Sequence, residues 1–204
     1  MEYPRVTIVC PTLNQGKYIR ETIDSVLAQD YPEIELIVQD GGSTDGTLDI
    51  LKSYGNKFAW RSEPDVGQAD AINRALASSS GLILTWLNSD DTLLPGAVST
   101  IVDRFRRYPE AGLFYGNAIF TGSDGGFLFT TEVAHCDFER MVEECRNPIC
   151  QPASFFTREA WVKVGGLDTS LHYFLDWDLW LRIAEEFPIY ATGAMLAIYR
   201  LHDE

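Results

Sequence analysis

The chain has 204 residues, 46% of them hydrophobic and 23% charged, with a formal net charge of −14. Apolar content at that level, without low-complexity tracts, excludes a disordered chain, and this length folds without needing disulfides or a structural metal. The acidity is shared by both halves and disfavours nucleic acid as a partner, so an anionic ligand would need local devices such as helix N-termini, backbone amides or a divalent cation.

Arg5–Cys10 (RVTIVC), stopped by Pro11, predicts a buried strand. From about Gln15 to Gln29, Ile19, Ile23, Val26 and Leu27 fall on one face of a helix. Ile34–Val38 is nearly continuous apolar, as a strand covered on both faces would be. The turn cluster GGSTDGT opens a second helix through about Tyr54, and Lys57–Arg61 predicts a short strand. A third helix spans Gln68–Ser79, and Leu82–Leu87 is another buried strand. Pro95 suits the first turn of a helix presenting Val98, Ile101, Val102 and Phe105.

This alternation implies parallel β-α-β units for about the first 105 residues. Beyond them, Leu113–Phe120 and Phe127–Thr130, joined through TGSDGG, predict a hairpin. A short helix near Phe138–Cys145, an extended Ala153–Phe156 and a helix from Trp177 to Glu186 follow. The expectation is a single α/β domain over 1–204. Its central sheet is mainly parallel and flanked by helices; residues 1–105 form a nucleotide-type half, and 106–204 a more irregular half with a small antiparallel hairpin.

The cysteines Cys10, Cys136, Cys145 and Cys150 show no C-x-x-C spacing and read as reduced thiols of a cytoplasmic protein. No basic, signal-like segment opens the chain, and the longest uncharged apolar run, Ile189–Tyr199, is about half of a ~20-residue membrane span. The chain is therefore expected in the cytoplasm, with any membrane contact peripheral.

In open parallel sheets, ligands bind beyond the carboxyl ends of the strands. Three predicted strands end there in polar clusters: Thr12-Leu13-Asn14-Gln15-Gly16, Gln39-Asp40-Gly41-Gly42-Ser43 and Asn88-Ser89-Asp90-Asp91. Singly, each reads as a solvated turn. Three on one rim point to a site. The first turn lacks both G-x-G-x-x-G and G-x-x-x-x-G-K, which disfavours a dinucleotide oxidoreductase or a P-loop kinase. Tandem carboxylates at Asp90 and Asp91 suit a hard divalent cation, Mg²⁺ or Mn²⁺, bridging phosphates.

PTLNQGKYIRETIDSVLAQDYPEIELIVQDGGSTDGT, DVGQADAINRAL, LNSDD and the downstream QPASFF…WVKVGGLD…YFLDWDLWLR…YRLH resemble glycosyltransferase family 2. The resemblance implies a GT-A fold. It also implies inverting transfer of a sugar from a UDP- or GDP-type nucleotide-diphosphate donor to a hydroxyl of a saccharide or lipid-linked acceptor, using Mg²⁺ or Mn²⁺, in cell-surface polysaccharide synthesis. On it, Thr12, Asn14 and Asp40 hold base and ribose, and Asp70 belongs to a block that closes over the nucleotide. Ile72 stands where some relatives have an arginine beside Asn73. Asn88-Ser89-Asp90 fills the D-x-D slot, with the amide of Asn88 replacing the first acid. Asp90 is then the main metal carboxylate, Asp91 a helper, and His202 of YRLH the histidine that completes the shell.

The resemblance also makes Asp176 the general base, with Leu175 where relatives often have Glu, and places Gln151 on the acceptor side. From spacing alone, Trp177, Trp180, Leu181 and Ala184 form a helical stripe, so a helix begins near Asp176. Its N-terminus favours the ionised carboxylate, giving a weak base; an N-cap role fits the same position. Trp177 reads either as an acceptor-side residue or, with Trp161 and Trp180, as core. Asp178 is expected at the surface, and His135 and His172 carry no assigned chemistry. Two other readings remain open here: a non-catalytic sugar-nucleotide-binding module, motivated by Asn88 and Leu175, and a nucleotidyltransferase.

Overall fold

The apolar runs of the first half become the parallel part of a sheet because helices cover both of its faces. The computed structural model describes residues 3–144 and 147–202. Its first half runs β1 (Val6–Thr12), α1 (Ile19–Leu27), β2 (Ile34–Asp40), α2 (Thr47–Ser53), β3 (Ala59–Ser62), α3 (Gln68–Ala77), β4 (Ile83–Trp86), β5 (Thr92–Leu93) and α4 (Ala97–Arg107). β1 lies between parallel neighbours β2 and β4, with Val6 opposite both Ile34 and Ile83, and β3 extends the parallel set beyond β2.

The second half is β6 (Leu113–Thr121), β7 (Phe127–Thr130), α5 (Phe138–Glu143), a 3-10 turn at Gln151–Ala153, β8 (Ser154–Thr157), α6 (Arg158–Val164), α7 (Leu175–Glu186) and β9 (Ile189–Arg200). The sheet order is β3-β2-β1-β4-β8-β6-β9-β5, with β7 paired to β6. β8 joins β4 antiparallel, and β6 continues antiparallel to β8. The expected hairpin is β6–β7. β9 runs parallel to β6 and antiparallel to β5, so the whole sheet is mixed. One core, including Ile23, Val38, Leu51, Ile101 and Phe155, fills the α1, α2 and α4 side; a second, including Ile72, Trp86, Phe156 and Trp180, fills the α3, α6 and α7 side.

Several local details depart from the sequence reading. The segment noted only as the longest uncharged apolar run is the strand β9, bent where Gly193 takes φ 68° and where the β6 register shifts around Asn117. Thr157 caps α6 by accepting from Ala160 N–H, and Gly165 ends it at φ 82°. Pro95 precedes α4 rather than sitting in its first turn, because Gly96 at φ 78° occupies the N-cap. α7 starts at Leu175 behind Phe174, which holds a left-handed φ of 60°. Asp176 is thus inside the first turn and is not the N-cap. Cys145, expected to end the short helix, lies outside the described residues; the cysteines described as free are Cys10, Cys136 and Cys150.

Candidate active site

Parallel neighbours in register bring the ends of β1 and β2 together, Thr12 opposite Asp40, and side chains then zip the following loops. Asn14, at φ 53°, accepts from Thr44 N–H through Oδ1 (2.9 Å), while its own N–H donates to Ser43 Oγ (2.7 Å). Gln15 N–H donates to Thr47 Oγ1 and Gly16 N–H to Asp45 Oδ2, each at 3.0 Å. Asp40 is 0% exposed. Its Oδ2 accepts from Gly42 N–H (3.0 Å), Ser43 N–H (2.9 Å) and Ser62 Oγ (2.6 Å), and Oδ1 accepts from Ser43 Oγ. Asn14 and Asp40 therefore shape the rim, and neither lines the cavity beside it.

That cavity, about 340 Å³, is walled by Thr12, Gln15, Asp65, Gln68, Asn88 and Asp90 among others. Buried Thr12 Oγ1 has no hydrogen-bond partner among the described residues. Gly41 lets the β2 loop pass close to Asp65, because a Cβ on Gly41 would stand 2.7 Å from Asp65 Oδ2. Asp70 faces its own helix, pairing with Arg74 (2.7 Å) and accepting from Val66 N–H (3.2 Å), so it braces the Pro64–Gly67 loop. Ile72 is fully buried in the core. Asn73 clamps the backbone of Leu167, donating to its carbonyl at 2.8 Å and accepting from its N–H at 3.0 Å.

The third cluster splits its carboxylates. Asp91 points inward, 2% exposed, with Oδ1 accepting from Arg200 N–H (2.9 Å). Burial, reinforced by neighbouring Asp90, pushes its pKa well above the usual carboxylate range. Asp90 points outward, and β9 delivers His202 to it, with Nε2 2.7 Å from Oδ2. The His202 ring rests against Tyr18 at 5.2 Å between centroids. Among the described residues, no group of three or more His, Cys, Asp or Glu side chains is arranged to hold a metal. Asp90 and His202 still fit Mg²⁺ or Mn²⁺ as two of six ligands, because such cations keep waters and take substrate phosphates for the rest. Asp91 is too buried to serve as the helper.

A second cavity, about 370 Å³, includes Trp86, Gln151, Asp176 and Tyr199 in its walls, and it shares Gln68 and Asn88 with the first. These two residues are bonded to each other, Gln68 Nε2 donating to Asn88 Oδ1 at 2.7 Å. Asp176 Oδ2 accepts from Asn147 Nδ2 at 3.0 Å. Burial raises the Asp176 pKa above the ordinary carboxylate value, outweighing the opposing backbone N–H groups at the helix start and the Asn147 amide. The expected helix-terminus effect is present but loses to desolvation. Gln151 donates through Nε2 to the Trp86 carbonyl (2.8 Å), which leaves its buried Oε1 as an acceptor without a partner among the described residues. Trp177 packs edge-on to Phe174, centroids 6.1 Å apart, and lines neither cavity. Asp178 pairs with Arg182 on the outside of α7.

Sequence reasoning missed Asp65, Gln68 and Asn147 as wall or contact residues. Gln68 sits at the first position of α3, after Gly67 at φ 131°, and Asp65 in the turn before it, which is the one local signal available.

The family model described as glycosyl transferase family 2 matches residues 7–162. The chain belongs to glycosyltransferase family 2. It is 28% identical over 213 residues to an uncharacterized glycosyltransferase, RT0329, of Rickettsia typhi, covering 98% of this chain and 65% of that one. It is 30% identical over 212 residues to a PGL/p-HBAD biosynthesis glycosyltransferase of Mycobacterium bovis, covering 100% of this chain and 78% of that relative. Among solved structures, S. aureus TarS 1-349 in complex with UDP-GlcNAc superposes with a TM-score of 0.80 at 18% identity, over 98% of this chain and 59% of that one. The fold is that of the GT-A glycosyltransferases. The chain thus spans about two thirds or less of several of its relatives.

Proposed function

We propose that this glycosyltransferase moves a sugar, with inversion, from a UDP- or GDP-type donor to a hydroxyl of a saccharide or lipid-linked acceptor. The observation that carries the reading is that the two cavities are neighbours, with Gln68 and Asn88 in the walls of both, which supports taking the Thr12–Asp90 rim and Asp176 as parts of one site. Thr12, Gln15 and Asp65 would meet the nucleotide, with Asn14, Asp40 and Asp70 holding the loops that shape its site. The solved neighbour's complex with UDP-GlcNAc supports this kind of donor. Asn88 and Gln151 offer hydrogen bonds to sugar hydroxyls. Asp90 and His202 would hold Mg²⁺ or Mn²⁺, which when bound neutralises charge on the departing diphosphate.

In the transfer, the acceptor oxygen bonds to the anomeric carbon. The bond from that carbon to the diphosphate oxygen breaks, and its electron pair leaves with the nucleotide. The acceptor proton goes to Asp176, whose raised pKa makes it a better base than an exposed aspartate. Asn147 donates to Oδ2 and so holds the orientation of the carboxylate. A place in cell-surface polysaccharide synthesis at the cytoplasmic membrane face goes with this reading; among the described residues no helix is long and apolar enough to cross a membrane.

The test is titration with UDP and GDP in the presence of Mn²⁺ or Mg²⁺, beside turnover with a nucleotide-sugar panel. Asp176→Asn should keep nucleotide affinity and lose turnover. No binding of either nucleotide at millimolar concentration, with metal present, overturns the proposal.

A further inference from the structure

Helix α1 and the residues at its two ends carry a row along one face, Tyr18, Thr22, Ser25 and Gln29, at helical spacing. The segment after β4 lies along that row. Thr22 Oγ1 donates to the Asp91 carbonyl (2.7 Å), and Ser25 Oγ accepts from Leu93 N–H (3.1 Å). Gln29 donates to the Leu94 carbonyl (3.0 Å) and accepts from Val98 N–H (3.2 Å). Three members of the row thus fix the backbone that follows Asp90. Tyr18, at the helix start, turns its ring instead to the residues leaving β9.

Those residues differ in how well they are held. Arg200 is pinned by its own bonds: its N–H donates to Asp91 Oδ1 (2.9 Å), Nε to the Asp90 carbonyl (3.1 Å) and Nη2 to Glu21 (2.6 Å). His202 stands beyond the end of β9 and past the bond from Leu201 N–H to the Thr121 carbonyl (2.8 Å). Among the described residues, its ring has a polar contact with Asp90, Nε2 to Oδ2 at 2.7 Å, and a ring contact with Tyr18, centroids 5.2 Å apart and planes inclined by 58°. The Tyr18 ring is itself fixed by the Arg200 guanidinium and the Lys17 ammonium, 4.8 and 4.6 Å from its centroid.

Neighbouring ligands of an octahedral cation with bonds of about 2.1 Å stand roughly 3 Å apart. Asp90 Oδ2 and His202 Nε2 are already close to that spacing. A single contact with Asp90 leaves the imidazole plane free to turn, and freezing that motion on binding would weaken the hold on the cation. We infer that Tyr18 is a positioning residue, its ring holding the His202 imidazole beside Asp90 before Mg²⁺ or Mn²⁺ arrives. The inference rests on the reading above that Asp90 and His202 take the cation.

The experiment titrates the protein with Mn²⁺ in the presence of whichever of UDP and GDP binds. Free Mn²⁺ is read by electron paramagnetic resonance, and the bound ion is examined for electron spin echo modulation by a histidine nitrogen. Tyr18→Phe keeps the ring and should hold Mn²⁺ within about twofold of the parent, with the nitrogen modulation intact. Tyr18→Leu keeps apolar bulk without the ring and should bind about three- to tenfold more weakly, the range of one aromatic contact; Tyr18→Gln is a second ring-free variant. In a His202→Ala background the same ring-free substitutions should change Mn²⁺ affinity by less than about twofold, because the ring then has nothing to position. Full affinity in folded ring-free variants, or a loss that persists undiminished in the His202→Ala background, overturns the role of Tyr18 alone. Failure of both ring-free variants to fold makes Tyr18 a packing residue and overturns it too. A parent protein that binds nucleotide but no Mn²⁺, or binds Mn²⁺ without nitrogen modulation, overturns the assignment of Asp90 and His202 to the cation. Absence of UDP and GDP binding overturns the underlying transferase reading.

Discussion

Asp40 tests whether the nucleotide rim is built or merely lined. Asp40→Ala removes the acceptor for two backbone N–H groups and two serine hydroxyls at a site with no solvent exposure. The hydroxyls can rotate to new partners; the Gly42 and Ser43 N–H groups cannot. Leaving each unsatisfied costs roughly 1–3 kcal/mol, partly offset by removing a buried charge, for a net loss of about 2–5 kcal/mol. Asp40→Asn is milder, because the amide oxygen can take the Oδ2 position while its NH₂ meets Ser43 Oγ, turned to accept. Only the charge assistance is lost, about 1 kcal/mol. Urea denaturation gives the stabilities, and UDP titration gives the affinities of the same proteins. Affinity should fall in the order of stability, with Asp40→Asn within about threefold of the parent. A well-folded Asp40→Asn protein that has lost UDP binding almost entirely would refute the reasoning, showing that the carboxylate itself contacts the nucleotide.

Three further outcomes follow from the geometry. Removing the Asn147 donor (Asn147→Ala) should raise the Asp176 pKa further, so the acidic limb of the kcat/KM profile moves to higher pH; the Cys150 thiol and Tyr199 hydroxyl, also facing Asp176, are pushed up to about 12 and do not titrate in that range. Because the folded-state pKa of Asp176 is raised, its contribution to stability is full below the unfolded value and is lost as pH rises through the folded one. Asp176→Asn should therefore raise the Tm at neutral pH, with the gain shrinking toward acid in a pH series of melting curves. Asn73→Ala breaks both bonds to the Leu167 backbone and should cost about 1–3 kcal/mol by urea denaturation.

The strands β1, β2 and β4 were legible because burial on both faces leaves nearly unbroken apolar runs. Their polar ends could be assigned to one rim because parallel strands finish on the same edge. Which way those polar groups face was not legible. Asp40 and Asn14 have the composition of ligand contacts but are turned to neighbouring loops by Ser43, Ser62 and Thr44. The split between Asp90 and Asp91 depends on Arg200 and His202, more than a hundred residues later, and those arrive only because β9 reaches β5. β9 itself was hidden by Thr192-Gly193 and its bulged pairing, which break the two-residue alternation of a strand. For Asp176, local reasoning predicted a helix-terminus effect, while the packing of distant segments around it set the larger, opposite one.

The most direct test of the single-cleft account is a structure of this protein with UDP and Mn²⁺ bound. The account predicts the nucleoside against Thr12, Gln15 and Asp65, the diphosphate at Asn88 and Asp90, and its outer phosphate directed toward Asp176. A nucleotide bound away from this rim, or one whose diphosphate points away from Asp176, would contradict it.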